Sequence, residues 1–111
     1  MEINTVNLQG ISIVRASGKI DATTVAPFEN AVKSVIAQGA KKILIDLSQL
    51  AYINSGGLRV VLATAKIQKN SGGTFALCGL TPEVNKVFTL AGLNTILTIF
   101  PGEADALASM K

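Results

Sequence analysis

Two hydrophobic periods alternate along the chain: short apolar or alternating runs of strand type, and apolar residues at three- and four-residue spacing. Ile3 and Val6 alternate weakly over residues 2–7, as an edge strand would. Ile11 to Ala16 (ISIVRA) forms a stronger strand pattern, with room for a hairpin turn over Asn7–Gly10. Lys42 to Leu47 (KILIDL) is an apolar run with one carboxylate, the pattern of a buried parallel strand, and Thr74 to Cys78 repeats it. A last short strand is expected over Asn94–Phe100. Helical spacing fills the gaps. Phe28, Val32, Val35 and Ile36 mark the inward face of a helix that starts near Thr24, holds Pro27 in its opening turn and stops at Gly39. A second helix follows the Ser55 loop, its helical period starting at Leu58 and running to about Asn70, with Leu58, Val61, Leu62, Ala65 and Lys69 directed inward. Thr81-Pro82-Glu83 opens a third with a capping Thr, Pro at the first helical position and an acid in the first turn; Val84, Val87, Phe88 and Ala91 form its inward face and Gly92 ends it. Pro101-Gly102 turns into a fourth, Glu103–Met110. The order ββαβαβαβα predicts one α/β domain over residues 1–111, a mixed, mostly parallel β-sheet of about five strands carrying about four α-helices.

The junction after the third strand holds the chemistry. A short polar connection leads to Tyr52-Ile53, and Asn54-Ser55-Gly56-Gly57 then passes into the second helix. A helix start offers unpaired N–H groups and a partial positive charge, which suits an anion. Ser55 can therefore be read as a helix cap or as a phosphoacceptor, with Gly56 and Gly57 leaving its hydroxyl accessible. Asp21 and Asp46, at strand ends, are either a cap and a turn former or a carboxylate pair at the Ser55 edge. On the second helix Val60, Ala63 and Ile67, flanked by Thr64, point away from the expected inward face. Either neighbouring helices cover them or they are a docking surface for another protein.

Composition narrows the choice. Apolar residues make up 49% of the 111 and charged residues 15%, enough for a core and too little charge for disorder. The net charge of +3 is spread out, with Lys41-Lys42 the one adjacent basic pair, so nucleic-acid binding is not expected. One cysteine, Cys78 in an apolar run, and no histidine exclude a disulfide within the chain and most zinc sites. The stretch Val87–Gly102 lacks charge but is broken by Thr, Asn, Gly and Pro, and the Met1-Glu2-Ile3-Asn4 start is acidic and polar. No membrane span or signal peptide is expected, and the reading is a cytoplasmic protein. Neither a Walker pattern nor G-x-G-x-x-G occurs, and Ser71-Gly72-Gly73 precedes a strand. No enzyme activity, cofactor or metal is expected.

Gly18-Lys19-Ile20-Asp21, Ile45-Asp46-Leu47-Ser48, Tyr52-Ile53-Asn54-Ser55-Gly56-Gly57-Leu58 and Leu80-Thr81-Pro82-Glu83-Val84, with Phe88 and Gly92, together resemble the STAS domain. More narrowly the chain is similar to the single-domain bacterial anti-sigma-factor antagonists. That resemblance implies phosphorylation of Ser55 by an ATP-dependent serine protein kinase that doubles as the anti-sigma factor. It implies that the unphosphorylated protein binds this kinase and frees the sigma factor, that phosphorylation breaks the complex, and that a metal-dependent serine phosphatase resets it. It further implies support of the phosphosite by Asp21, Asn54, Gly56 and Gly57, and a partner surface of Thr24, Ser55, Gly56, Arg59, Val60, Ala63 and Ile67. Two positions depart from the pattern: Asn54 stands where the family often has Asp, and Gly56 where it often has Ser or Ala. The alternative is a regulatory STAS subunit of an ABC-type membrane transporter.

Overall fold

In the computed structural model, which describes residues 1–111, five strands form one sheet in the order β1-β2-β3-β4-β5. β1 (Glu2–Leu8) is antiparallel to β2 (Ile11–Ile20); β2, β3 (Lys42–Ile53), β4 (Thr74–Cys78) and β5 (Ile99–Phe100) are mutually parallel. The hairpin closes through Gln9 and Gly10, whose φ angles of 57° and 81° belong to a two-residue type I′ turn, the connection whose twist matches that of the strands. Helices α1 (Val25–Ala37), α2 (Ser55–Asn70), α3 (Pro82–Leu90) and α4 (Glu103–Met110) complete the order ββαβαβαβα.

Strand alternation divides the core in two. Ile43, Ile45 and Leu47 of β3 and Leu77 of β4 pack with Phe28, Val32 and Val35 of α1, Val60 and Val61 of α2, and Val84 and Phe88 of α3. The residues between them, Leu44, Ala76 and Cys78, face the other side with Ile11 and Ile13, under Ala106 and Met110 of α4. Three helices thus cover one face and one short helix covers part of the other. Each fully buried Ile, Leu or Phe contributes about 1.5–3 kcal/mol relative to exposure.

Two elements differ from the sequence expectation. β3 does not stop at Leu47; it continues to Ile53 because β2 offers it a partner as far as Ile20↔Ile53. Register shifts between Arg15 and Ser17 and between Gly18 and Lys19 leave Leu47, Leu50 and Ile53 buried at spacings of three, which conceals the strand period. The last strand is Ile99–Phe100 alone, since Leu93–Thr95 forms a 3-10 turn after the left-handed Gly92. Thr81 does stand at the start of α3, but its hydroxyl donates to Leu50 O at 2.8 Å rather than capping its own helix, and Ala91 is exposed.

Candidate functional site

The parallel register sets the ends of β2 and β3 side by side. Asn54 N–H donates to Ile20 O at 2.9 Å, so Asp21 and Asn54 leave the same sheet edge. This is the carboxyl end of parallel strands, where open α/β sheets place their ligand sites. Asn54, in extended backbone, is the N-cap of α2: its Oδ1 accepts from Gly57 N–H at 2.9 Å. Ser55 is consequently the first helical residue and not the cap. It is exposed, and its hydroxyl takes no part in the side-chain hydrogen bonds of the chain.

The glycines after it have distinct reasons. A Cβ on Gly57 would lie 2.6 Å from Ile53 Cγ1 and 2.8 Å from Ile20 Cγ2, so only glycine lets α2 start this close to the sheet. A Cβ on Gly56 would meet Val25 Cγ2 at 3.2 Å, where the first turns of α1 and α2 approach each other. Asp21 shapes the turn into α1: Oδ1 accepts from the Thr23 hydroxyl at 2.7 Å and Thr23 N–H at 2.9 Å. The Thr23 hydroxyl, then its N–H, hold the Asp21 carboxyl below the ordinary aspartate range. Thr24 precedes α1 with its hydroxyl donating to Lys19 O at 2.7 Å and accepting from Asp21 N–H at 2.9 Å, so that hydroxyl is engaged within the turn.

Beside Ser55 a groove of about 570 Å³ lies between α1 and α2, lined by Val25, Glu29, Gly56, Arg59, Val60 and Ala63. Ile67 continues it along α2 against Ile36 and Lys33. The expected apolar patch is thereby corrected at Val60, which is only 7% exposed, part of the main core and the floor of the groove. Ala63 is exposed and Ile67 is 44% exposed. The inward face of α2 is also turned from the expected one: Gly57, Val60, Val61, Thr64 and Gln68 are buried, whereas Leu62 and Lys69 are exposed. Two polar residues on that face are satisfied internally. The Thr64 hydroxyl donates to Val60 O at 2.8 Å, and Gln68 Nε2 donates to the carbonyls of Ala40, Lys41 and Thr74 at 3.1–3.2 Å.

Asp46 does not join this edge. It pairs in register with Arg15, seven residues before Ile53, about 20 Å from the Ser55 edge at the usual strand rise. Its neighbours are on the α4 face: Arg15 forms a bidentate pair with Glu103 at 2.7 and 2.8 Å, and burial first, then Glu103, push the Asp46 carboxyl up. The two aspartates are therefore no catalytic pair. Sequence reasoning missed Val25 and Glu29, the α1 wall of the groove; only the sheet order, which sets α1 against α2, brings them to Ser55. No helix is long and apolar enough to cross a membrane, and no group of three or more Cys, Asp or Glu is placed to hold a metal.

The STAS domain family model matches residues 2–106. The Bordetella bronchiseptica protein BtrV, provisionally named an anti-sigma factor antagonist, is 30% identical over 111 residues, 100% of this chain and 96% of that one. The anti-sigma F factor antagonist of Paenibacillus polymyxa is 29% identical over 112 residues, with the same shares covered. The crystal structure of an anti-sigma factor antagonist from Mycobacterium paratuberculosis superposes with a TM-score of 0.91 at 28% identity, covering 98% of this chain and 92% of that one. With the five-stranded mixed sheet, the four helices and the strand–Asn-Ser-Gly-Gly–helix junction in place, the chain belongs to the STAS domain family, in the company of proteins named anti-sigma factor antagonists.

Proposed function

We propose that this protein is an anti-sigma-factor antagonist that works by partner switching in the cytoplasm and is controlled at Ser55. Unphosphorylated, it binds a cognate anti-sigma factor that is also a serine kinase, and the sigma factor is released. The kinase transfers the γ-phosphoryl group of ATP to Ser55 Oγ; the hydroxyl proton is lost and ADP leaves. A metal-dependent serine phosphatase hydrolyses the ester and restores the binding form. The observation that carries this reading is the exposed, uncommitted hydroxyl at the start of α2, freed for modification because Asn54 does the capping. Gly56 opens the approach, and the adjoining groove with Arg59, Ala63 and Ile67 supplies the docking face, with Val60 as its floor. Asp21 orders the turn beside it.

The energetics suit an on–off response. A phosphate dianion in the interface confronts the partner with a desolvated charge it cannot pair, a cost of several kcal/mol. At about 1.4 kcal/mol per decade this amounts to a hundredfold loss or more. Tandem mass spectrometry of the protein recovered from its own cell should locate phosphate on Ser55. Used as bait there, Ser55→Ala should retain a kinase-type partner that Ser55→Asp loses. Equal retention by both variants, or phosphate found elsewhere and not on Ser55, overturns the proposal.

A further inference from the structure

The opposite flank of α2 carries a second groove, of about 460 Å³, between the helix and a wall made by Phe75 of β4 and residues 96–98. Its apolar lining includes Leu62, Phe75, Ile96 and Leu97, and its cations are Lys66 and Lys69. Leu62 is 36% exposed and Ile96 68% exposed, so large apolar side chains stand in water at its border. None of the eleven lining residues is acidic. The ion pairs of the chain, Arg15–Glu103 and Lys33–Glu29, leave both lysines without a carboxylate. The Ser55 groove differs in kind, because Glu29 and Arg59 give it both signs of charge. Gln68, beneath the second groove, has its amide nitrogen engaged with the carbonyls of Ala40, Lys41 and Thr74.

From this arrangement we infer that the Leu62–Ile96 groove is a second protein-docking surface, whose occupant is a partner segment bearing apolar anchors flanked by Asp or Glu. Charge complementarity selects the acidic flanks, since two unpaired ammonium groups border an apolar floor. The open form of the groove selects a protein segment over a small molecule: small ligands are held where 70–90% of their surface is enclosed, whereas an amphipathic segment lays its apolar side along a trough. Because Ala65, Lys69 and the apolar wall of Phe75, Ile96 and Leu97 lie on the other flank of α2 from the Ser55 groove, the chain can keep this second partner while the Ser55 face is switched. The surface does not depend on phosphorylation.

A random peptide library displayed on phage, panned against the full chain, tests the inference. Enriched peptides should combine Leu, Ile or Phe with Asp or Glu, and should shift the backbone NMR signals of Leu62, Lys66, Lys69 and Thr98. They should bind at least about tenfold more weakly to the Lys66→Glu/Lys69→Glu variant and should weaken as salt is raised. Binding to Ser55→Asp should equal binding to wild type, which keeps this test separate from that of the switch. Ile96→Ser, at an exposed position, provides an apolar counterpart to the charge variant. Enrichment of neutral or basic peptides, mapping to the α1–α2 groove alone, indifference to the lysine reversal, or no enrichment overturns the inference. So does sedimentation of the wild-type chain, but not the double variant, with phosphatidylglycerol vesicles when no peptide binds; that result makes the groove a membrane-surface contact.

Discussion

Replacing Asn54 with alanine removes the 2.9 Å bond from Gly57 N–H to Asn54 Oδ1 and leaves that donor without a partner at the half-buried start of α2. Loss of such a cap costs about 1 kcal/mol, which lowers the melting temperature by about 4 °C in a domain near 100 residues. Ser55→Ala removes a hydroxyl with no internal partner at an exposed site and should stay within about 0.5 kcal/mol of wild type. Asn54→Asp keeps the acceptor and adds a negative charge at the positive end of the helix, a gain of about 0.3–1 kcal/mol. The helix start depresses the folded-state pKa of the new carboxyl. Its gain is therefore present above the unfolded value of about 3.9 and lost as pH falls through the folded one. Urea denaturation of the three variants, compared at equal slope, measures all of this. If Ser55→Ala costs as much as Asn54→Ala, or if Asn54→Ala costs nothing, the cap lies on Ser55. Its hydroxyl is then committed, and the central argument for a free phosphoacceptor fails.

Gly57→Ala places a methyl group 2.6 Å from Ile53 Cγ1; overpacking of about 1–3 kcal/mol exceeds the helix gain of about 1 kcal/mol, while Gly56→Ala, at 3.2 Å from Val25, should change stability by less than about 1 kcal/mol. Denaturation midpoints in the reverse order contradict that packing. The Arg15 guanidinium holds the Glu103 carboxyl at about 2, below its ordinary 4.5, so the pair stabilises the fold above pH 4.5 and loses this contribution as pH falls toward 2. Glu103→Gln should flatten the acid limb of the stability–pH curve, and an unchanged limb refutes the assignment. Burial pushes the Cys78 thiol up to about 12, so an aromatic disulfide reagent at pH 8 should modify it only at the rate of unfolding; rapid modification of the native chain contradicts its burial.

Hydrophobic period and turn chemistry made the order of elements readable, together with the bounds of α1, α3 and α4 to within a residue or two; α2 starts at Ser55, three residues before its apolar period shows at Leu58. Thr24 and Thr81 stand at the starts of α1 and α3, though neither hydroxyl caps its helix, and Pro82 and Gly92 stand where their types require. Other features were hidden because they depend on partners far along the chain. Ser48 to Ala51 look like a polar connection until β2 is known to run alongside them, and the register shifts then disguise the strand period. Gln68 and Thr64 look like outward residues because polarity is taken as a sign of solvent. Their hydrogen bonds to Ala40, Lys41, Thr74 and Val60 let them occupy the inward face, and this turned the expected orientation of α2. Ser55 could be singled out from its place at a strand-to-helix junction. The wall opposite it could not, since nothing local in Val25 or Glu29 says which helix lies beside which.

The backbone at Ser55 also determines what phosphate there does to the fold itself. Leu58 N–H is the first to bond within α2, to Asn54 O at 3.1 Å, and Asn54 Oδ1 takes Gly57 N–H. The N–H groups of Ser55 and Gly56 are left for an anion. Arg59 follows at i+4, exposed and outside the ion pairs of the chain. An acidic group one turn before a basic one gains about 0.2–0.5 kcal/mol on a helix, and an anion at the helix start about 0.3–1 kcal/mol. Phosphoserine installed at position 55 during translation should therefore raise the stability of the isolated chain by about 1 kcal/mol, and Arg59→Ala should remove part of the increment. Both effects should shrink as salt rises. A phosphorylated form less stable than the unmodified one refutes this account, because the modification would then act by disturbing α2. A more stable one is what the proposed switch requires: the fold survives the modification, and a loss of binding on phosphorylation would then arise in the interface, through the charge of the phosphate and its hold on Arg59.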